Sequence, residues 1–174
     1  MGEIKIFGYI LVAVLFLSAI LMPLTDVFFA YRERLMLSDA LYNSCRAATE
    51  AGYNMVNLRI IDAKRYNEYF LEAFENSFAT SFDLALSETI STTNGYTLKF
   101  IPNNDAYNNF EVKLNFNEEE SYDPYTDDKK ITSVTASATS PYKFKIAYMQ
   151  RLNDSGNVEY TLKSERTYIM EVFN

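Results

Sequence analysis

Nineteen consecutive residues, Ile6 to Leu24, read IFGYILVAVLFLSAILMPL, and no charge falls between Lys5 and Asp26. At 1.5 Å of helical rise per residue this run covers about 30 Å, the hydrocarbon thickness of a bilayer. About a dozen of its residues are Leu, Ile, Val or Phe, which together favour insertion by about 4–7 kcal/mol. Every face of such a helix is apolar, so a core helix of a soluble domain is a poor fit. A cleaved secretory signal would have a shorter apolar stretch ending at a small-x-small site. Here the run continues through Ile20-Leu21-Met22-Pro23-Leu24 and no Ala-x-Ala follows. The expectation is a retained single-pass anchor over residues 1–30.

Its orientation follows from what flanks it. Lys5 and the terminal amine lie on one side and Arg32 and Arg34 on the other, so the positive-inside rule votes both ways. The remaining chain is acidic and carries Ser, Thr, Asn and Tyr in strand-like segments, which favours a cell-membrane protein with its C-terminal domain outside the cytoplasm.

The rest of the chain excludes several classes. A net charge of −7 with no basic stripe argues against a nucleic-acid partner. There is no His, so the commonest general base and transition-metal ligand is missing. Cys45 is the single cysteine, so no intramolecular disulfide can form. With 14 Tyr and 13 Phe the chain can still bury a core. Only five glycines are present and none forms a phosphate loop, so no cofactor is expected and the chain is not expected to be an enzyme.

Periodicity gives the layout. Leu37, Leu41, Ala48, Ala51, Met55 and Leu58 recur at helical spacing, with Ser38, Asp39, Asn43, Arg46, Glu50 and Asn54 mainly opposite. This predicts an amphipathic spine over 31–62, continuous with the anchor and bent near Pro23. Tyr66, Tyr69, Phe70, Ala73, Phe74, Phe78, Phe82 and Ala85 form the stripe of a second helix. After Asn94-Gly95 the period changes to two. Strands are expected at 96–100, 110–117, 131–139, 142–148, 158–163 and 167–173, with a turn at Asp154-Ser155-Gly156-Asn157. Helices followed by strands indicate an α+β fold with an antiparallel sheet, the extracytoplasmic domain being 63–174.

This layout, with the hydrophobic helix Ile6–Leu24, Pro23 at its end and the Ala-rich stretch Leu37–Gly52, resembles type IV pilin-like proteins, in particular the TadE/TadF-type pseudopilins of tight-adherence pilus systems. The likeness covers about the first sixty residues and beyond them rests on the order of elements. It implies a structural or assembly component of a pilus-like apparatus, with the membrane and other pilin-like or assembly-platform proteins as partners. It also implies Gly2 as a processing site. Phe7 stands at the fifth position after Gly2, where that family carries a Glu.

Candidate sites follow from residue type. Gly8, Ala13, Ser18 and Ala19 are small residues that would let neighbouring membrane helices approach. Glu118, Glu120, Asp123, Asp127 and Asp128 offer oxygen ligands for Ca²⁺ but lack the EF-hand spacing, and read first as a solvated loop. The neighbours Asp127 and Asp128 do not fix the separation that glycoside chemistry needs. Cys45 reads as a small packing residue. Tyr142 and Tyr148 read as outward-facing and available for adhesion. The alternative to an assembly component is a surface-displayed domain binding carbohydrate, protein or Ca²⁺.

Overall fold

The computed structural model describes residues 2–56, 63–120 and 129–169. One helix, α1 (Gly2–Val56), runs 55 residues, about 80 Å at the standard rise. It passes through Pro23 without ending. The missing N–H of Pro23 leaves the Ala19 carbonyl without its usual donor. Helix α2 (Ala63–Phe82) follows, then strands β1 (Leu84–Thr92), β2 (Gly95–Pro102), β3 (Phe110–Glu120) and β4 (Lys129–Pro141), a short helix α3 (Ala147–Asp154), and β5 (Thr161–Ile169). The strands form an antiparallel meander in the order β1-β2-β3-β4-β5. The fold is α+β, as the sequence predicts.

Both helices lie on one face of the sheet. The α2 stripe buries Phe70, Phe74, Phe78 and Phe82, four residues apart, so all four project to one side. Phe70 meets Phe116 at 5.4 Å, Phe78 meets Phe100 at 5.2 Å and Phe82 meets Phe110 at 5.1 Å between ring centres. α2 therefore covers β2 and β3, whose Leu98, Phe100, Phe110, Val112, Leu114 and Phe116 alternate inward. The second part of α1 lies over β4 and β5, where Tyr42 packs on Tyr168 at 5.6 Å. β4 presents Val134, Ala136 and Ala138 there. The two helices touch through small residues, Ser44 Oγ donating to Ser77 Oγ at 3.2 Å. The opposite face of the sheet is polar, with Thr97, Lys99, Lys113, Thr135 and Thr167 half-buried or exposed.

Three expectations are corrected. The stripe ending at Ala85 suggests that α2 runs on, yet the helix stops at Phe82 and β1 begins at Leu84. The break is made by Asp83, in the left-handed region at φ 53°. Asn103 and Asn104 donate their side-chain amides to its carboxylate at 3.0 and 2.9 Å, and its carbonyl accepts from the Asn103 N–H. An Asp in this conformation ends a helix without the Gly or Pro that a sequence reading looks for. Those two donors hold its carboxyl below the usual carboxylate range. Their stabilisation is thus present above that range and fades as pH falls through the lowered value.

The strand expected at 142–148 is also absent. Residues 142–146 alternate in burial but have no strand partner, and α3 starts at Ala147. The strands expected at 158–163 and 167–173 are one strand, β5, with 170–174 outside the described residues. The polar run Ser164-Glu165-Arg166 reads as a gap but pairs in register with Ala138, Ser137 and Ala136.

The turn at 154–157 is as predicted. Asn157 N–H donates to Leu152 O at 3.0 Å and Gly156 N–H to Asn153 O at 2.9 Å, with Gly156 at φ 74°. That pair of bonds is the Schellman ending of a helix.

Gly95 opens β2 where its backbone comes against β3. A Cβ there would stand 1.8 Å from the Leu114 carbonyl oxygen. Gly95→Ala must push the two strands apart, and a loss of about 2–3 kcal/mol is expected in denaturant unfolding of the full chain.

Candidate functional site

α1 divides into two parts with different surroundings. From Ile6 to Leu24 its large apolar side chains are exposed among the described residues, Phe7 being 70% and Phe16 69% exposed. This helix is long and apolar enough to cross a membrane once. From Asp26 onward Asp26, Ala30, Glu33, Leu37, Ala40, Leu41, Ser44, Cys45 and Ala48 are buried at steps of three and four. Such spacing keeps one stripe of the helix against the rest of the protein. Leu37, Leu41, Cys45 and Ala48 pack as expected, and Ala51 is half-buried. Ser38, placed on the outer side by the sequence, is buried, because Arg166 of β5 reaches over to donate to its hydroxyl at 2.6 Å.

The change of surroundings falls at Asp26, two residues beyond the apolar run and only 1% exposed. Its Oδ1 accepts the Lys145 backbone N–H at 2.8 Å and its Oδ2 the Ile146 N–H at 3.2 Å. The Tyr142 hydroxyl lies 3.3 Å from Oδ1 and from the Asp26 carbonyl. These bonds replace the strand ladder that 142–146 lacks, since a buried N–H must find an acceptor. Two turns on, Glu33 pairs with Lys145 Nζ at 3.1 Å. The same Nζ donates to the Ala106 carbonyl at 2.7 Å and lies 5.4 Å from the centre of the Tyr107 ring. Burial, then the charges of Asp26 and Glu33, push the Tyr142 hydroxyl well above its ordinary range, so it stays a donor. Tyr142 is thus buried and not an outward adhesion residue, whereas Tyr148 is exposed.

Two acids without a His, each already held by donors, form an anchoring contact between a helix and an extended segment. Both carboxylate oxygens of Asp26 accept hydrogen bonds from the 142–146 segment.

All the small residues singled out from the sequence lie on α1, with Gly2 at its first residue. At 100° per residue, Gly8 and Ala19 fall within about 20° of one another, Ser18 about 80° from Gly8, and Ala13 about 140° away. Gly8 has no atom within 4 Å of where a Cβ would stand. Ser18 donates its hydroxyl to the Val14 carbonyl of its own helix. Of the acidic candidates, Glu118 and Glu120 lie on the last turns of the β3 ladder, opposite Ile131 and Lys129. Asp123, Asp127 and Asp128 lie outside the described residues. Among the described residues no cluster of His, Cys, Asp or Glu could hold a metal. Asp26 and Glu33 were not legible as a site, because nothing in their neighbourhood marks which acid will be buried.

No family model, no curated protein and no solved structure matches the chain.

Proposed function

We propose that the chain is a membrane-anchored structural or assembly subunit of a pilin-like apparatus, akin to the TadE/TadF-type pseudopilins, with its α+β head outside the cytoplasm. The observation that carries this reading is the partition of one unbroken helix. Among the described residues the apolar side chains of its first part lie exposed, and its second part is the spine on which the head is built. An apolar surface of that extent needs lipid or other helices around it. A secretory signal meets the same test of length and composition. Against it stand the length of the apolar run, which continues to Leu24, and the lack of an Ala-x-Ala pattern after it.

Subunits of this kind associate through their apolar helices, and the face bearing Gly8 and Ala19 is where two backbones can come closest. Ala19→Cys in membranes under mild oxidation is expected to give disulfide-linked dimers of the 20.1 kDa chain, and Ala13→Cys, on the other side, a several-fold lower yield. Cys45 is buried and does not compete. A product that stays monomeric at both positions contradicts the proposal.

A further inference from the structure

The contacts of α1 with β5 fix which end of the sheet faces the apolar helix. Arg34 donates to the Lys163 carbonyl, Ser38 accepts from Arg166, and Tyr42 packs on Tyr168. The contacts advance along β5 as they advance along α1, so the two run in the same direction. β5 therefore starts, and its antiparallel neighbour β4 ends, at the end of the sheet nearest the apolar helix. The excursion from Pro141 to Thr161, which contains α3, leaves and rejoins the sheet there.

Both sides of that excursion are held at one level of α1. The Lys145 and Ile146 N–H groups bond the Asp26 carboxylate, and α3 opens at the next residue, Ala147. On the returning side the Tyr160 carbonyl accepts the Tyr142 N–H at 2.7 Å, and the Tyr142 hydroxyl lies at Asp26. Asp26 is two residues past Leu24, about 3 Å of helical rise. With Ile6–Leu24 filling the hydrocarbon, the headgroup layer extends about 5–8 Å beyond Leu24. The start of α3 falls inside that layer.

The residues exposed at this level have interfacial chemistry. α3 buries Met149 and half-buries Leu152, leaving Tyr148 and Arg151 exposed. Tyr160 is exposed on the return, and Phe28 is exposed on α1 one turn past Leu24. A tyrosine suits this depth, with its ring among the upper acyl carbons and its hydroxyl in water. Among the described residues Arg151 has no carboxylate at ion-pairing distance, so its guanidinium is open to a phosphate. Resting on the reading of α1 as a retained anchor, we infer that α3 docks in the headgroup layer of the bilayer that holds the anchor, Tyr148 entering the interface and Arg151 bonding lipid phosphate. The head is then held to the bilayer at two places, the helix and α3, and keeps a fixed tilt.

The chain has no Trp, so a single introduced Trp reports its own surroundings. The full-length variants Tyr148→Trp, Phe16→Trp and Thr92→Trp are reconstituted in phosphatidylcholine–phosphatidylglycerol vesicles, with and without lipid brominated at a shallow or a deep position of the acyl chain. Thr92 is the distal control. It is exposed and, through Gly95, Asn115 and Thr135, level with Thr167, about 20 Å of strand beyond Thr161. Tyr148→Trp emission is expected to fall at least about twofold with the shallow bromine and less with the deep one. Phe16→Trp should respond most to the deep bromine and Thr92→Trp to neither. Adding Arg151→Glu, which repels phosphate, should remove most of the quenching at Tyr148→Trp. Quenching at Phe16→Trp without quenching at Tyr148→Trp overturns the docking and leaves the anchor standing. Absence of quenching at Phe16→Trp overturns both. Equal quenching at Tyr148→Trp and Thr92→Trp, or quenching at Tyr148→Trp that Arg151→Glu leaves unchanged, also overturns the contact as described. So does a blue-shifted Tyr148→Trp emission that no bromine quenches, because protein and not lipid then covers α3.

Discussion

Phe78→Ala is expected to lower the unfolding free energy of the full chain by about 3–5 kcal/mol, the cost of emptying a fully buried aromatic site. Phe78 is the ring on which the two layers of the head meet. It stacks on Phe74 at 5.9 Å and tilts against Phe82 at 5.7 Å along α2, and touches Phe100 of β2 and Phe110 of β3 at 5.2 and 6.1 Å. Truncation removes its own transfer free energy and also the edge and face contacts of four neighbours, which a rigid sheet cannot close by collapsing. Small domains are stable by only about 5–15 kcal/mol, so this single change consumes a large share. Phe78→Leu keeps most of the volume and should cost about 1–2 kcal/mol. Denaturant unfolding in detergent, followed by circular dichroism, separates the two. A loss below about 1 kcal/mol for the alanine variant would contradict the packing described.

Asp26→Ala is expected to cost about 3 kcal/mol, because it strands two backbone donors, Lys145 N–H and Ile146 N–H, at a site closed to water. Asp26→Asn should cost about half as much. An amide oxygen can still serve one N–H, while its nitrogen turns a donor toward the other. The distinguishing readout is amide exchange. Lys145 and Ile146 should lose protection in Asp26→Ala, while strands β2 and β3, far from the junction, keep theirs. Unchanged protection at those two amides would show that the head is held to the helix by other contacts.

How far the sequence disclosed this molecule depends on the range of the interaction that shapes each part. The α1 and α2 stripes and the strands β2, β3 and β4 were legible, since each is set by apolar residues at a local period. β1 was hidden because Ala85 continues the α2 stripe and the chain is turned by Asp83, with no Gly or Pro to mark it. The segment 142–146 shows true period-two burial, yet its partner is an acid more than a hundred residues earlier. No local pattern distinguishes it from a strand. Helix α3 has eight residues, too few for a stripe. In the candidate site, the apolar helix and its small residues were read directly, whereas Asp26 was only the first charge after a greasy run. Arg34 and Lys163, joined by a hydrogen bond between α1 and β5, lie 129 positions apart, so only the fold brings them together.

The central claim is that the apolar part of α1 stays attached and in the membrane. The intact mass of the head-bearing chain recovered from cells tests it most directly. A membrane-pelleting species at 20.1 kDa is expected, shorter by no more than Met1 and Gly2. A soluble species beginning between about Ala19 and Asp26, with the apolar helix removed, would contradict it.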